Sequence, residues 1–169
     1  KVLGVSNDVG IFLNEKLKPE ETNQSYFLVG KNDFCYNPYR INVGSIGLNI
    51  FDYDNQIISG AYIVFACKED ELNPNYLDVL FKHKTFIDYV NEKANGGVRM
   101  NFKFEDMEAW EIPLPSVDEQ NAIVDQIEKH KAIIEGAEKI ISSWSIDFNS
   151  YSREINISQK KISELIIDS

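Results

Sequence analysis

The feature that most constrains the fold lies after Pro113-Leu114-Pro115, where the sequence changes to one long helical pattern. Ser116-Val117-Asp118-Glu119 has the arrangement of a capping box, in which the first and last side chains each accept from the other's backbone amide. Seven positions, apolar except for one histidine, then follow at alternating spacings of four and three residues: Ile123, Ile127, His130, Ile134, Ala137, Ile141 and Trp144. This spacing predicts a helix over about residues 117–145 with a heptad seam.

The predicted helix would extend about 43 Å at 1.5 Å per residue. It would overshoot a domain of this size, and a long helix with such a seam favours a partner helix. The alternative is that the helix folds back on its own domain. The pattern divides the chain into a globular domain at residues 1–115, the long helix at 116–148 and a C-terminal helical segment at 149–169.

The part before the prolines has a mixed pattern and predicts an α+β domain with a mixed or antiparallel sheet and flanking helices. Strands are predicted at residues 26–30, 34–36, 57–58, 61–66 and 111–112, with an extended segment at 41–50. The run at 61–66 is apolar on both faces, which is typical of a central strand. Asn73-Pro74 is a cap residue followed by the favoured first helical position, and it predicts a helix. A second helix is predicted at 84–95, ended by Gly96-Gly97.

Composition excludes several classes of protein. Of the 169 residues 43% are hydrophobic and 26% charged, as in an average globular protein. No apolar run approaches the ~18 residues of a membrane span, and no signal peptide is visible. The two cysteines make no disulfide or metal pattern, so a reducing cytoplasm is the expected location. Neither histidine has a partner at zinc spacing, and we expect no metal or cofactor.

The charge balance argues against a simple nucleic-acid binder, since 17 basic and 27 acidic residues give −10. A local basic surface remains compatible with this total. Residues 34–51 contain one basic and no acidic residue, and residues 95–103 contain two basic and no acidic residue. These two stretches are therefore the predicted places for an anionic partner.

The segment Asn37-Pro38-Tyr39 resembles part of the four-residue Asn/Asp-Pro-Pro-Tyr/Phe motif of adenine amino-methyltransferases. One proline is missing, and no glycine-rich loop follows a first strand to hold S-adenosylmethionine. We interpret the segment as non-catalytic, which disfavours a stand-alone methyltransferase.

Three groups of residues occur together in one family. The first is Tyr36-Asn37-Pro38-Tyr39-Arg40-Ile41-Asn42 followed by Gly44-Ser45-Ile46-Gly47, and the second is residues 58–65. The third is Gly97-Val98-Arg99 leading to Trp110-Glu111-Ile112-Pro113-Leu114-Pro115 and then Glu119-Gln120. In this order and spacing, the chain resembles the specificity subunit of type I restriction–modification enzymes. The match covers about residues 26–141.

The resemblance implies a DNA-recognition role without a catalytic site. In this family, two target-recognition domains each read half of a split sequence in double-stranded DNA, and their long helices pair antiparallel. Adenine methyltransferase subunits dock on the helices, and a restriction and translocation subunit can join them. This chain has one domain and one helix, so it resembles half a subunit that pairs with another copy or with a different half.

Two departures from the family leave alternatives open. Residues 1–17 match the usual lead-in poorly, whereas residues 159–165 look like such a lead-in at the other end. The chain resembles a fragment, a natural half-subunit, or the recognition domain of a fused restriction–methyltransferase chain. A protein-interaction module without a DNA role is the alternative from another class.

The DNA-reading residues are predicted in the two stretches of low negative charge, together with Lys31, which precedes the first stretch. Arginine can bond guanine with two hydrogen bonds, and asparagine can do the same with adenine. The predicted DNA-binding residues are Lys31, Asn37, Tyr39, Arg40, Asn42, Ser45, Arg99, Asn101 and Lys103. The alternative for each is an ordinary polar loop residue.

Overall fold

The structure is a computed structural model that describes residues 1–19, 24–94 and 100–144. The chain divides into two compact units, Lys1–Ile127 and Glu128–Ser169. The described elements, in chain order, are β1 (Val2–Ser6), β2 (Gly10–Leu13), β3 (Tyr26–Leu28), β4 (Phe34–Tyr36), β5 (Ile46–Leu48), β6 (Ile57–Ser59), β7 (Ile63–Phe65), α1 (Pro74–Lys82), α2 (Lys84–Ala94), α3 (Phe104–Glu108) and α4 (Val117–Ser143).

The strands form two small sheets. One has the order β2-β1-β6-β3, in which β1 and β6 are parallel and the other pairs antiparallel. The second has the order β5-β4-β7 and is antiparallel throughout. The prediction of an α+β fold with mixed and antiparallel sheets and a long helix is therefore confirmed.

The sheets meet where β2 packs against β5. A Cβ built on Gly47 would lie 2.8 Å from the Ile11 backbone nitrogen and 3.0 Å from the Gly10 Cα. Gly10 itself has a φ of +69°. A side chain at position 47 would force the strands apart, so glycine permits this close backbone approach.

The largest core lies between the second sheet and the helices α1 to α3. Phe34 and Phe86 have no exposed surface, and Phe81 packs on the ring of Trp110 at 5.7 Å. Aromatic rings at these separations add to the stability gained by burial. A smaller core around Leu3, Val5 and Ile58 lies under the first sheet.

Helix α4 begins as the sequence predicts. The Ser116 N–H donates to the Glu119 carboxylate at 2.9 Å, and the Glu119 N–H donates to the Ser116 hydroxyl at 3.4 Å. The Ser116 side-chain and backbone donors hold the pKa of Glu119 below its usual range. The capping box therefore fixes the first turn of the helix.

Four local predictions were wrong or incomplete. The sequence analysis predicts no strand before residue 26, yet residues 1–17 contain β1 and β2. Ile41–Val43 is a 3-10 turn instead of extended chain. Residues 57–66 divide at a turn in which the Tyr62 N–H donates to the Ser59 carbonyl at 3.0 Å, so β7 is an edge strand and not a central one.

The short strand predicted at residues 111–112 is also absent from the described part of the chain. These residues are irregular, and the partly buried Ile112 packs against the larger core. The end of the second helix at Gly96-Gly97 and the helical segment at 149–169 lie outside the described residues. Within residues 1–19, 24–94 and 100–144, no helix is long and apolar enough to cross a membrane.

Candidate nucleic-acid interface

The topology gathers three connections at one end of the two sheets. Tyr36 at the end of β4 pairs with Ile46 and Ile63, which begin β5 and β7. The β4–β5 connection at residues 37–45 and the β6–β7 turn therefore lie together. The β1–β2 turn joins them, because a Cβ built on Gly44 would lie 3.6 Å from the Cβ of Asn7.

The β4–β5 connection is a folded loop in which Tyr39, Arg40 and Val43 are exposed. The Asn37 Oδ1 accepts from the Tyr39 N–H at 2.9 Å, and the Arg40 N–H donates to the Asn37 carbonyl at 3.0 Å. Ile41 is fully buried and anchors the loop, while Gly44 ends it in the left-handed region at φ +89°. Tyr39 and Arg40 are consequently exposed, Tyr39 by 58%.

A second segment is hydrogen-bonded to this loop. The Phe102 N–H donates to the Pro38 carbonyl at 2.9 Å, and the buried Phe102 ring lies 6.1 Å from that of Tyr36. Asn101 and Lys103 flank Phe102 and are both exposed. Two stretches that are about 60 residues apart in sequence thus form one surface, which we call the loop-end surface. Its exposed polar side chains are Tyr39, Arg40, Asn101 and Lys103.

The structure does not bring all the predicted residues to this surface. Lys31 precedes β4 and therefore lies at the opposite end of that strand, where it pairs with Asp52 at 3.2 Å. Ser45 is buried, and its hydroxyl donates to the Val5 carbonyl at 3.4 Å, so it holds the loop on β1. Asn37 and Asn42 are half-buried. Arg99 lies outside the described residues.

Sequence analysis also missed the β1–β2 turn as part of this end. The signal was present, since Asn7-Asp8 separates two short apolar runs in the manner of a hairpin turn. What the sequence did not reveal is the packing of that turn on Gly44.

The described residues offer little for covalent or metal chemistry. Burial raises the pKa of the Cys35 thiol to about 12 and that of Cys67 to about 11, with smaller contributions from Asp33 and Glu69. Both thiols are therefore protonated at neutral pH and poor nucleophiles. No group of three His, Cys, Asp or Glu in residues 1–19, 24–94 and 100–144 is placed to hold a metal ion.

Helix α4 carries the second candidate surface. Within the first unit, Ile123 is 37% exposed and Ile127 half-buried. Within the second unit, Ile134, Ile141 and Trp144 are 57%, 72% and 77% exposed, and His130 and Ala137 are exposed as well. Large apolar side chains in such a series are unusual on a monomer surface and typically mark an interaction site.

The fold is similar to that of two solved structures. The chain superposes on the "HsdS subunit from Thermoanaerobacter tengcongensis" with a TM-score of 0.61 and 18% identity, over 81% of this chain and 36% of that one. A chain from a structure of "complex assembly and conformational transition of the type I R-M system" matches with a TM-score of 0.60, 18% identity and the same coverage. At this identity the likeness establishes the fold alone.

The sequence establishes the family. Residues 7–143 match the "Type I restriction modification DNA specificity domain", and the chain belongs to this family. It is also 33% identical over 97 residues to the "Type I restriction enzyme MjaIX specificity subunit" of Methanocaldococcus jannaschii, covering 51% of this chain and 22% of the relative. The resemblance noted in the sequence is thereby confirmed, and the chain spans less than a quarter of that relative's length.

Proposed function

We propose that this chain reads one half of a split DNA target for a type I restriction–modification system. The observation that carries the proposal is the Phe102–Pro38 hydrogen bond, which holds Arg40 and Lys103 on one surface. Neither side chain has an ion-pair or hydrogen-bond partner among the described residues, so both are free to bind an external anion or base. Catalysis belongs to partner subunits in this proposal.

The charge of the β4–β5 loop supports a DNA contact despite the total of −10. The β4–β5 loop carries Arg40 and no acidic residue. Basic side chains bind phosphates, whereas exposed arginine and asparagine can read base edges. The loop-end surface combines both types with an exposed tyrosine that can pack on a sugar or base.

The partners in this proposal follow from helix α4. Its exposed apolar positions would be covered by the long helix of a second recognition half, either another copy of this chain or a different half. Adenine methyltransferase subunits would dock on the paired helices and methylate adenine at N6, and a restriction and translocation subunit would complete the complex in the cytoplasm. The loop-end surface and helix α4 would have the same roles if the chain were the recognition domain of a fused restriction–methyltransferase.

Arg40→Ala should weaken specific binding by about 1–3 kcal/mol if Arg40 reads a guanine. Binding of the assembled complex to its methylated target duplex, identified by adenine-methylation mapping, measures this change. Lys31→Ala is the matched control, since it removes a basic residue at the other end of β4. Equal affinity of the parent and the Arg40 variant would contradict the proposed surface.

Binding should fall steeply with salt. Each phosphate neutralised contributes a slope of about −0.9 in a plot of log K against log salt concentration. Titration of a fluorescent target duplex at several salt concentrations gives the slope, and Lys103→Ala should reduce it by about one. A flat salt dependence would instead favour a protein-interaction module, which is the function that the net charge of −10 favours.

A further inference from the structure

The β1–β2 turn lies against the proposed DNA-reading loop. A Cβ on Gly44 would lie in ordinary van der Waals contact with Asn7, at 3.6 Å from the Asn7 Cβ. The Ser45 hydroxyl donates to the Val5 carbonyl at 3.4 Å. The turn is thus held at a defined position beside Arg40.

A cavity of about 140 Å³ lies between the turn and the loop, with Ser6, Asn7, Asn37, Arg40, Val43 and Tyr62 in its wall. Asn37 has its side-chain oxygen engaged by the Tyr39 N–H at 2.9 Å. Asn7 is exposed, and its carboxamide has no hydrogen-bond partner in the described parts of the chain. Of the two carboxamides at this cavity, only that of Asn7 has both its donor and its acceptor free.

We infer that the β1–β2 turn is a further specificity element and that Asn7 reads a base, with adenine as the best fit. This inference rests on the proposed function. An asparagine pairs with adenine by accepting from N6 and donating to N7, which requires both ends of the carboxamide. Asn7 meets this requirement, and Arg40 in the same wall provides the complementary chemistry for a guanine.

The composition of the turn favours contact with bases over contact with phosphates. Asp8 would be repelled by a phosphate, whereas its carboxylate can accept from the cytosine amino group. Val9 is 70% exposed and can contact a thymine methyl group. Residues 6–9 contain no basic side chain, so nothing in the turn would neutralise the DNA backbone.

The test is selection from randomised DNA duplexes by the assembled complex of this chain with its methyltransferase subunits. The parent, Asn7→Ala, Arg40→Ala and Asn14→Ala are compared. Asn14 is the matched control, because it follows β2 at the other end of the hairpin, where its N–H donates to the Val2 carbonyl. Thermal unfolding of each variant checks that the substitution leaves the fold intact.

Asn7→Ala is expected to relax the preference at one base pair by about tenfold or more, while Arg40→Ala relaxes a different position and Asn14→Ala changes nothing. If Asn7→Ala selects the parent's motif with unchanged preference, the inference is overturned although the proposed function stands on Arg40. An equal loss for all sequences would also overturn it, since that outcome indicates a phosphate contact. A parent complex that selects no motif would overturn both.

Discussion

Gln120→Glu is expected to lower the free energy of unfolding of the Lys1–Ile127 unit by about 3–5 kcal/mol. Gln120 has no exposed surface, and its Nε2 donates to the carbonyls of Glu71 and Pro115 at 3.0 and 2.9 Å. Its Oε1 accepts from the Asn73 N–H at 2.8 Å. A carboxylate would lose both donors and place a buried charge against two carbonyl oxygens.

Chemical denaturation at pH 7 measures this loss. Burial would raise the pKa of the introduced carboxyl, so the protonated form is favoured in the folded state. The deficit should therefore shrink as the pH falls towards the ordinary range of glutamate and grow as the pH rises above it.

Gln126→Glu is the matched control for this variant, because Gln126 is an exposed glutamine on the same helix and its change should stay within about 0.5 kcal/mol. If the Gln120 variant were as stable as this control, the hydrogen bonds that link the start of α4 to the start of α1 would not contribute to stability.

Ile134→Asp is expected to weaken the pairing of α4 with a second helix. Burying an isoleucine contributes about 1.5–3 kcal/mol, and an aspartate in a seam adds a desolvation cost. The dissociation constant of the pair should rise by at least about 100-fold, since 1.4 kcal/mol corresponds to a factor of ten. Sedimentation velocity of the parent and variant over a range of concentrations measures it.

The folded chain itself should tolerate this change, because Ile134 is 57% exposed. Ala132→Asp introduces the same charge two residues away, about 200° around the helix, and should leave pairing intact. A variant with Ile134→Asp that assembles like the parent would contradict the proposed seam.

The elements that the sequence predicted well are those set by local interactions. The capping box at Ser116 and Glu119 forms as expected, and Asn73 caps α1 with its side chain accepting from the Asn75 N–H at 2.7 Å. The strands at residues 26–28 and 34–36 also follow their apolar runs. In each case the residues that make the element are neighbours in the chain.

The predictions failed where distant residues decide the outcome. The run at 61–66 is apolar on both faces, yet Ile63–Phe65 pairs only with β4 and lies at the edge of its sheet. The role of Gln120 was equally hidden, because two of its three partners lie at Glu71 and Asn73, almost 50 residues away. Burial alone would not favour a glutamine at that position without those partners.

The sequence by itself determined the family, the α+β class and the long helix, because motif order, helix caps and periodicity are local properties. Only the tertiary structure decided which residues share the loop-end surface. The Phe102–Pro38 hydrogen bond joins residues 101–103 to Arg40, the sheet topology places Lys31 at the opposite end, and packing on β1 buries Ser45. These outcomes depend on pairing and burial between residues far apart in the chain, which no local pattern specifies.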